Sequence, residues 1–262
     1  MKGWMLGVLM LVVGVAQAAS PVDELLACMQ ATVPTTLRAQ QVELETRSAN
    51  GEVRELLKGT LYARRAETDE GLRTRATLQV QGPEYLVGAA YLVVQSTDFL
   101  RDGVYVYLPS VRRVRQVTGT FADGALLGTS FSYFDFKQLT GAFGGAEMRI
   151  EGHDEIDGRA VRLMSFTPSG DDRTDYTHVR TWVDRETCLP LRAEFYEGDR
   201  LRKRLQAPVT ALREDKGHAY LSAATMEDLR DGRVTEFRSV GVQTDADLSA
   251  ALFSPEAFYR AP

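Results

Sequence analysis

Residues 57–80, LKGTLYARRAETDEGLRTRATLQV, decide the fold class, because apolar and polar side chains alternate along both ends of this stretch. In its second half, Leu72, Ala76, Leu78 and Val80 are separated by arginine, threonine and glutamine. A period of two is typical of strands with one buried and one solvated face. It therefore favours an antiparallel sheet.

The same period continues outside this stretch. Val42 and Leu44 alternate with polar residues, and short turn sequences recur between strand-like runs. Pairs of this kind supply the positive φ angles that tight hairpins need, so their recurrence predicts a long meander. The turn sequences are Asn50-Gly51, Asp102-Gly103, Asp157-Gly158, Glu197-Gly198-Asp199 and Asp231-Gly232.

Two continuous apolar runs interrupt the alternation. Leu86 to Val94 (LVGAAYLVV) is rich in β-branched and aromatic residues, and Val104 to Leu108 is similar. Runs of this length and content predict strands that are buried on both faces. A sheet that contains them must curl or be covered.

A short helix is predicted before the sheet. Ser20 suits the N-cap, Pro21 the first helical position and Asp23 the acidic position of a capping box. Pro34 ends the helix. Its apolar stripe consists of Val22, Leu25, Leu26, Met29 and Val33.

The composition indicates a globular chain. It has 262 residues, 44% hydrophobic and 26% charged, which excludes disordered and collagen-like proteins. The net charge is −5, which argues against a dedicated nucleic-acid-binding protein, because phosphate contacts require a basic surface. No linker or repeat divides the chain, so residues 19–262 are predicted to form a single domain.

Residues 1–18 have the features of a secretory signal peptide. Lys2 is followed by an apolar core from Trp4 to Val15, and Ala16 and Ala18 fit the cleavage rule. The core is too short for a comfortable membrane span. We therefore expect export to the periplasm with cleavage near Ala18.

The chain has two cysteines, Cys28 and Cys188. They could pair in an oxidising compartment, but the sequence leaves the pairing open. Leu25 to Cys28 superficially resembles a lipoprotein cleavage box. Asp23 and Glu24 separate it from the apolar core, so Cys28 is interpreted as a helix residue.

No sequence motif indicates catalysis. His153, His178 and His218 are isolated, and no paired cysteine spacing is typical of a zinc site. Gly128 to Ser132 comes nearest to a nucleophile elbow, but it ends in serine where glycine is required. We expect no enzyme activity, no metal ion and no cofactor; a hydrolase is the weakest of the functional hypotheses.

Gly119 to Gly145 is rich in glycine, phenylalanine and leucine and is too long for a simple hairpin. It is predicted to form a loop with a short helix from Phe134 to Leu139 across the sheet. A mobile lid and a fixed plug remain equal alternatives. Asp247 to Phe258 is predicted to form a second short helix with a tail.

Two blocks of sequence resemble a known family. One runs from Asp102 to Arg115 (DGVYVYLPSVRRVR) and is followed by Gly128 to Phe136; the other runs from Val179 to Tyr196 (VRTWVDRETCLPLRAEFY). They are similar to the LolA-like outer-membrane lipoprotein-sorting proteins of the periplasm, in particular the branch associated with exporters of the RND/MMPL type. The resemblance covers roughly residues 40–258.

The resemblance implies a mainly β (α+β) fold: a curved, incomplete antiparallel β-barrel, LolA/LolB-like, with short helices over its open side. It also implies a carrier that holds a lipid, lipoprotein acyl chains or another hydrophobic molecule in an apolar cavity for transport to the outer membrane. An RND/MMPL-type inner-membrane transporter is the implied partner. The membrane contact is then peripheral, and no nucleic acid is involved.

Candidate ligand contacts follow from the strands presumed to face inwards and from the apolar segment. For each residue taken singly, core packing is the competing interpretation. The cavity candidates are Leu61, Leu78, Leu92, Val106, Trp182 and Phe195, and the lid candidates are Leu126, Leu127, Phe131, Phe134 and Phe136.

Arg113 and Arg115 are candidates for contact with lipid headgroups or a partner, because they lie on one face of a predicted strand. An ordinary solvated face is the simpler interpretation. The alternative function is a periplasmic sensor or interaction module that binds a regulator or a transporter. The sequence identifies neither the cargo nor the oligomeric state.

Overall fold

The computed structural model describes residues 19–68, 71–94, 103–117, 124–132, 134–135, 147–168 and 174–260. The proposed signal peptide, residues 1–18, lies outside them. The first element is the helix α1 (Pro21–Ala31), whose N-terminus carries the predicted capping box. The Ser20 hydroxyl accepts from the Asp23 amide, and the Asp23 carboxylate accepts from the Ser20 amide.

The described strands form one thirteen-stranded antiparallel sheet and a separate two-stranded hairpin. The order in the large sheet is β6-β5-β4-β3-β2-β1-β15-β14-β11-β10-β9-β8-β7, and β12 pairs with β13. The strands are β1 (Arg38–Arg47), β2 (Val53–Thr68), β3 (Gly71–Gly82), β4 (Ala90–Val94), β5 (Gly103–Leu108), β6 (Arg113–Val117), β7 (Glu147–Ile156), β8 (Arg159–Thr167), β9 (His178–Asp184), β10 (Pro190–Glu197), β11 (Arg200–Gln206), β12 (Leu212–Asp215), β13 (His218–Leu221), β14 (Ala223–Asp228) and β15 (Arg233–Thr244).

The meander predicted from the turn sequences is confirmed wherever the structure describes them. Asn50-Gly51 joins β1 to β2, and Asp157-Gly158 joins β7 to β8. Gly51 and Gly158 have φ angles of +83° and +80°, which glycine adopts without steric cost. Asp102 lies outside the described residues, and Gly103 is the first residue of β5.

The prediction of a single strand from Leu86 to Val94 is wrong for the first half of the run. Leu86 ends a 3-10 turn, and Gly88 has a φ angle of +82°, which interrupts an extended chain. Val87 is half-exposed rather than buried. The strand β4 therefore begins only at Ala90.

The C-terminal segment covers the face of the sheet opposite the cavity described below. A 3-10 turn spans Ala250–Phe253, in agreement with the predicted short helix, and Phe253 and Phe258 are buried. Phe258 packs in one cluster with Leu92 and Tyr62. This segment therefore hides apolar side chains that would otherwise face water.

A dense core lies under β8 to β11. Its largest side chains include Phe166 and Phe195, and α1 contributes Leu25 and Met29. Cys28 of α1 is disulfide-bonded to Cys188, which precedes β10, with their Cα atoms 5.7 Å apart. The pairing that the sequence left open is thus formed, and it fixes the helix to this part of the sheet.

Candidate functional site

A cavity of about 240 Å³ lies inside the sheet. Its wall is predominantly apolar, and its few polar residues include Arg38, Gln40 and Thr74. The main apolar wall residues are Val33, Val42, Leu44, Leu61, Ala63, Ala76, Leu78, Val93, Val104, Leu126, Phe131, Leu189, Pro190, Leu205, Leu221, Ala224 and Phe237.

The composition of the wall shows that the sheet curves round this space. Val104 lies on β5 and Pro190 begins β10, and these strands are eight positions apart in the strand order. Both residues nevertheless border the same cavity. Within the described residues, the terminal strands β6 and β7 do not pair with each other. The predicted curved, incomplete antiparallel barrel is confirmed.

Small side chains account for the empty space. One row of cross-strand partners on the cavity face runs from Ala63 on β2 to Ala76 on β3, then to Val93 on β4 and Val104 on β5. The next row contains Leu61, Leu78 and Tyr91. The alanines and valines are too short to reach the opposite wall, so the interior is left unfilled here.

Part of the predicted lid or plug forms one side of the cavity. Leu126 and Phe131 lie in its wall, and Leu127 packs in the neighbouring apolar cluster with Phe131. A bridge between Ala125 and Ser132 closes the short loop that contains them. Phe136 and the rest of the predicted helix lie outside the described residues.

The predicted lid or plug is held in place at Asp135 by buried polar groups. The Asp135 carboxylate accepts from the Lys203 Nζ at 2.7 Å and from the Tyr176 hydroxyl at 3.0 Å. It also accepts from the Ser132 amide at 2.8 Å. The adjacent Phe134 is fully buried in the dense core against Phe166 and Tyr176, so it does not line the cavity.

Trp182, a predicted cavity residue, does not line the cavity either. Its cross-strand partners are Leu163 and Arg192, whereas the adjacent Thr181 pairs with Ala193, whose own partner Leu205 lines the cavity. The indole N–H donates to Asp154, and the Arg192 guanidinium lies 4.6 Å from the ring centroid. Period-two alternation cannot assign a strand to one face, and the choice of face was wrong here.

The remaining predicted apolar residues are divided between three environments. Leu61 and Leu78 line the cavity. Leu92 faces the C-terminal segment, and Phe195 is enclosed in the dense core. Val106 pairs with Tyr91 and so shares the cavity-side face, but it lies beyond the wall of the cavity.

Arg113 and Arg115 are placed on the edge strand β6, on the same side of the sheet as the cavity. Arg115 pairs with Val106, which pairs with Tyr91 of the cavity wall. Both arginines are exposed. They are therefore positioned beside the cavity and away from its interior.

Arg38, which the sequence reasoning missed, is a cation in the cavity wall. The sequence shows only that Arg38 shares a strand face with Gln40 and Val42, and alternation does not state that this face is the inner one. Burial lowers the pKa of Arg38 to about 10, an effect that Tyr220 and Asp215 partly oppose. The side chain thus remains protonated at neutral pH.

Neither a metal centre nor a membrane-spanning helix is found in the described part of the chain. No group of three or more His, Cys, Asp or Glu side chains there could hold a metal ion. No helix in the described ranges is long and apolar enough to cross a bilayer.

Comparison with known proteins supports the fold. A structure of a DUF1329 family protein from Desulfovibrio piger has a TM-score of 0.80 at 22% identity, covering 91% of this chain and 99% of that one. A putative outer membrane lipoprotein-sorting protein domain from Vibrio parahaemolyticus has a TM-score of 0.78 at 20% identity, covering 90% and 97%. A LolA superfamily protein from Nitrosomonas europaea has a TM-score of 0.64 at 17% identity, covering 90% and 98%.

No curated protein matches the sequence. A family model described as "Uncharacterized protein" matches residues 73–260, which is more than half of the chain. The chain therefore belongs to this family of uncharacterized proteins, and its fold is LolA-like.

Proposed function

We propose that this protein is a periplasmic carrier that binds a lipid, lipoprotein acyl chains or another hydrophobic molecule in the cavity of the curved sheet. The observation that carries the proposal is the unfilled, apolar cavity between β1–β5 and the facing residues of β10, β11 and β14. Residues of native cores normally fill such space at crystal-like density.

Binding at such a site requires no catalytic motif. Each buried methylene contributes about 0.8 kcal/mol, so an acyl chain binds through apolar contact and shape. Leu61, Leu78, Leu126 and Phe131 are the predicted contact residues that lie in the wall. They are the ones we propose to touch the ligand.

Binding is tested by native mass spectrometry of the protein purified from the periplasm without detergent, followed by lipid extraction. We expect bound lipid on the wild-type protein and much less on Ala76→Leu, which extends a side chain into the cavity. Ala160→Leu, on an exposed position of β8, is the matched control and should retain the lipid. A wild-type protein that is consistently empty and has no affinity for acyl probes would refute the proposal.

Delivery is the second step of the proposed function, with an RND/MMPL-type transporter as the proposed donor. We expect the protein to accelerate transfer of labelled lipid from inner-membrane vesicles that contain the transporter to outer-membrane vesicles. Protein that binds lipid but gives no acceleration would favour the sensor or interaction module.

A further inference from the structure

Arg38 is a buried charge with unused hydrogen-bonding capacity. The side chain is 7% exposed and lies in the cavity wall. Its two hydrogen bonds both come from Nη1, which donates to the Thr32 carbonyl at 3.2 Å and to the Ala219 carbonyl at 3.4 Å. The Nε is buried and has no acceptor.

Among the described residues, Arg38 forms no ion pair within 4.0 Å. Asp215 acts on it only as a more distant charge, and its carboxylate accepts from the Thr244 amide at 2.9 Å. Buried charges in proteins are normally paired, because an isolated one loses its hydration without compensation. The cavity therefore has an excess of positive charge at this end.

Arg65 adds to the positive character of the same end. Arg38 pairs with Ala63, and Arg65 lies two residues further along β2, opposite Thr74 of the cavity wall. The two arginines are thus diagonal neighbours on the cavity-side face, a relation that places Cβ atoms within about 8 Å. The Nε of Arg65 is also buried without an acceptor.

We propose that the ligand is an amphiphile with an anionic head group, a carboxylate or a phosphate, that accepts hydrogen bonds from Arg38 while its hydrocarbon chain occupies the apolar part of the cavity. This inference rests on the proposed carrier function. Arg38 supplies the donors from the cavity wall, Arg65 lies beside it, and the row from Ala63 to Val104 supplies the apolar wall. The head group completes the pairing that the described residues leave open.

A purely structural role for Arg38 makes different predictions. Its bonds to Thr32 and Ala219 connect the segment after α1 and the β12–β13 hairpin to β1. If this were its only role, replacing Arg38 would lower stability but would leave the relative affinities for charged and neutral ligands unchanged. The ratio of affinities, rather than their absolute values, therefore distinguishes the two roles.

The test measures displacement of a neutral fluorescent dye, N-phenylnaphthylamine, by hexadecanoate, hexadecyl phosphate and methyl hexadecanoate. The two anions are used below their critical micelle concentrations and the ester below its solubility limit. We expect the wild-type protein to bind at least one of the two anions at least about tenfold more tightly than the ester, which corresponds to about 1.4 kcal/mol. The tighter of the two identifies the head group as carboxylate or phosphate.

Two Arg38 variants and one control complete the experiment. Arg38→Met should abolish the preference for the anion, and Arg38→Lys should retain part of it. Arg54→Gln removes an exposed arginine from β2 and should leave the preference intact. If Arg38→Met does not fold, the ratio of affinities for anion and ester in the wild-type protein and in Arg38→Lys still distinguishes the two roles of Arg38.

Three results would overturn the inference. Equal affinity of the wild-type protein for the ester and both anions would refute the anionic head group while leaving the carrier function intact. An unchanged preference in Arg38→Met would refute the role of Arg38. Absence of binding by all three compounds would refute the carrier function itself.

Discussion

The two parts of the sheet use the same alternating pattern with opposite results. Under β8 to β11 the inward side chains include Met164, Phe166 and Phe195, and they fill the interior together with α1. Across β2 to β5 the corresponding row is built from alanine and valine, and a cavity remains. Side-chain volume, rather than hydrophobicity, therefore separates the densely packed part of the molecule from its proposed binding site.

The largest expected effect is a cavity made in the packed part. Phe195→Ala should lower the free energy of unfolding by about 3–5 kcal/mol, because the side chain is fully enclosed. Leu61→Ala, at the wall of the existing cavity, should cost only about 2 kcal/mol, the low end for a leucine, since part of its surface already lacks packed neighbours. Urea denaturation measures both. Equal costs would remove the contrast between the two parts.

The disulfide between Cys28 and Cys188 should also stabilise the packed part. Replacing Cys28 and Cys188 by serine is expected to cost about 2–4 kcal/mol, because the bond closes a long loop and restricts the unfolded chain. Hydrogen exchange should then increase in α1 and β10 more than in β2 and β3. A uniform increase would show that the helix contributes equally to both parts.

A larger side chain should affect stability differently at two matched alanines. Ala193→Leu, in the dense core, is expected to cost about 1–3 kcal/mol through overpacking. Ala76→Leu, in the cavity wall, should change the thermal midpoint little, because the added methyl groups enter empty space. The comparison fails if Ala76→Leu is as destabilising as Ala193→Leu.

The smallest effect concerns acid stability of the packed part. Burial would raise the pKa of Asp184, but hydrogen bonds from Arg159 and Thr187 outweigh it and hold the pKa below its usual value. The resulting stabilisation is present above the ordinary pKa near 4 and is lost as the pH falls towards the lower folded value.

Asp184→Asn should therefore cost about 1.5 kcal/mol at pH 7 and less at pH 3. Urea titrations at the two pH values measure the difference. Asp157→Asn, in the exposed turn between β7 and β8, is the control for the substitution itself and should change the free energy of unfolding little. An equal cost of Asp184→Asn at both values would mean that its charge contributes nothing.

Sequence reasoning predicted the architecture better than the site. The capping box at Ser20 and the turn at Asn50-Gly51 act locally, so their sequences determine their structures. The assignment of Trp182 to the cavity failed because alternation fixes two faces without stating which one is inside. The burial of Arg38 depends on residues far apart in the chain, including Ala219, and no local pattern encodes such a contact.

Side chains leave the cavity unfilled, and we propose that a hydrophobic ligand occupies it. The most direct measurement is a titration of the delipidated wild-type protein and the Ala76→Leu variant with N-phenylnaphthylamine. We expect saturable binding at one site in the wild-type protein and at least about tenfold weaker binding in Ala76→Leu, with the fold intact. Equal affinity in both proteins, or no saturable binding in the wild-type protein, would contradict it.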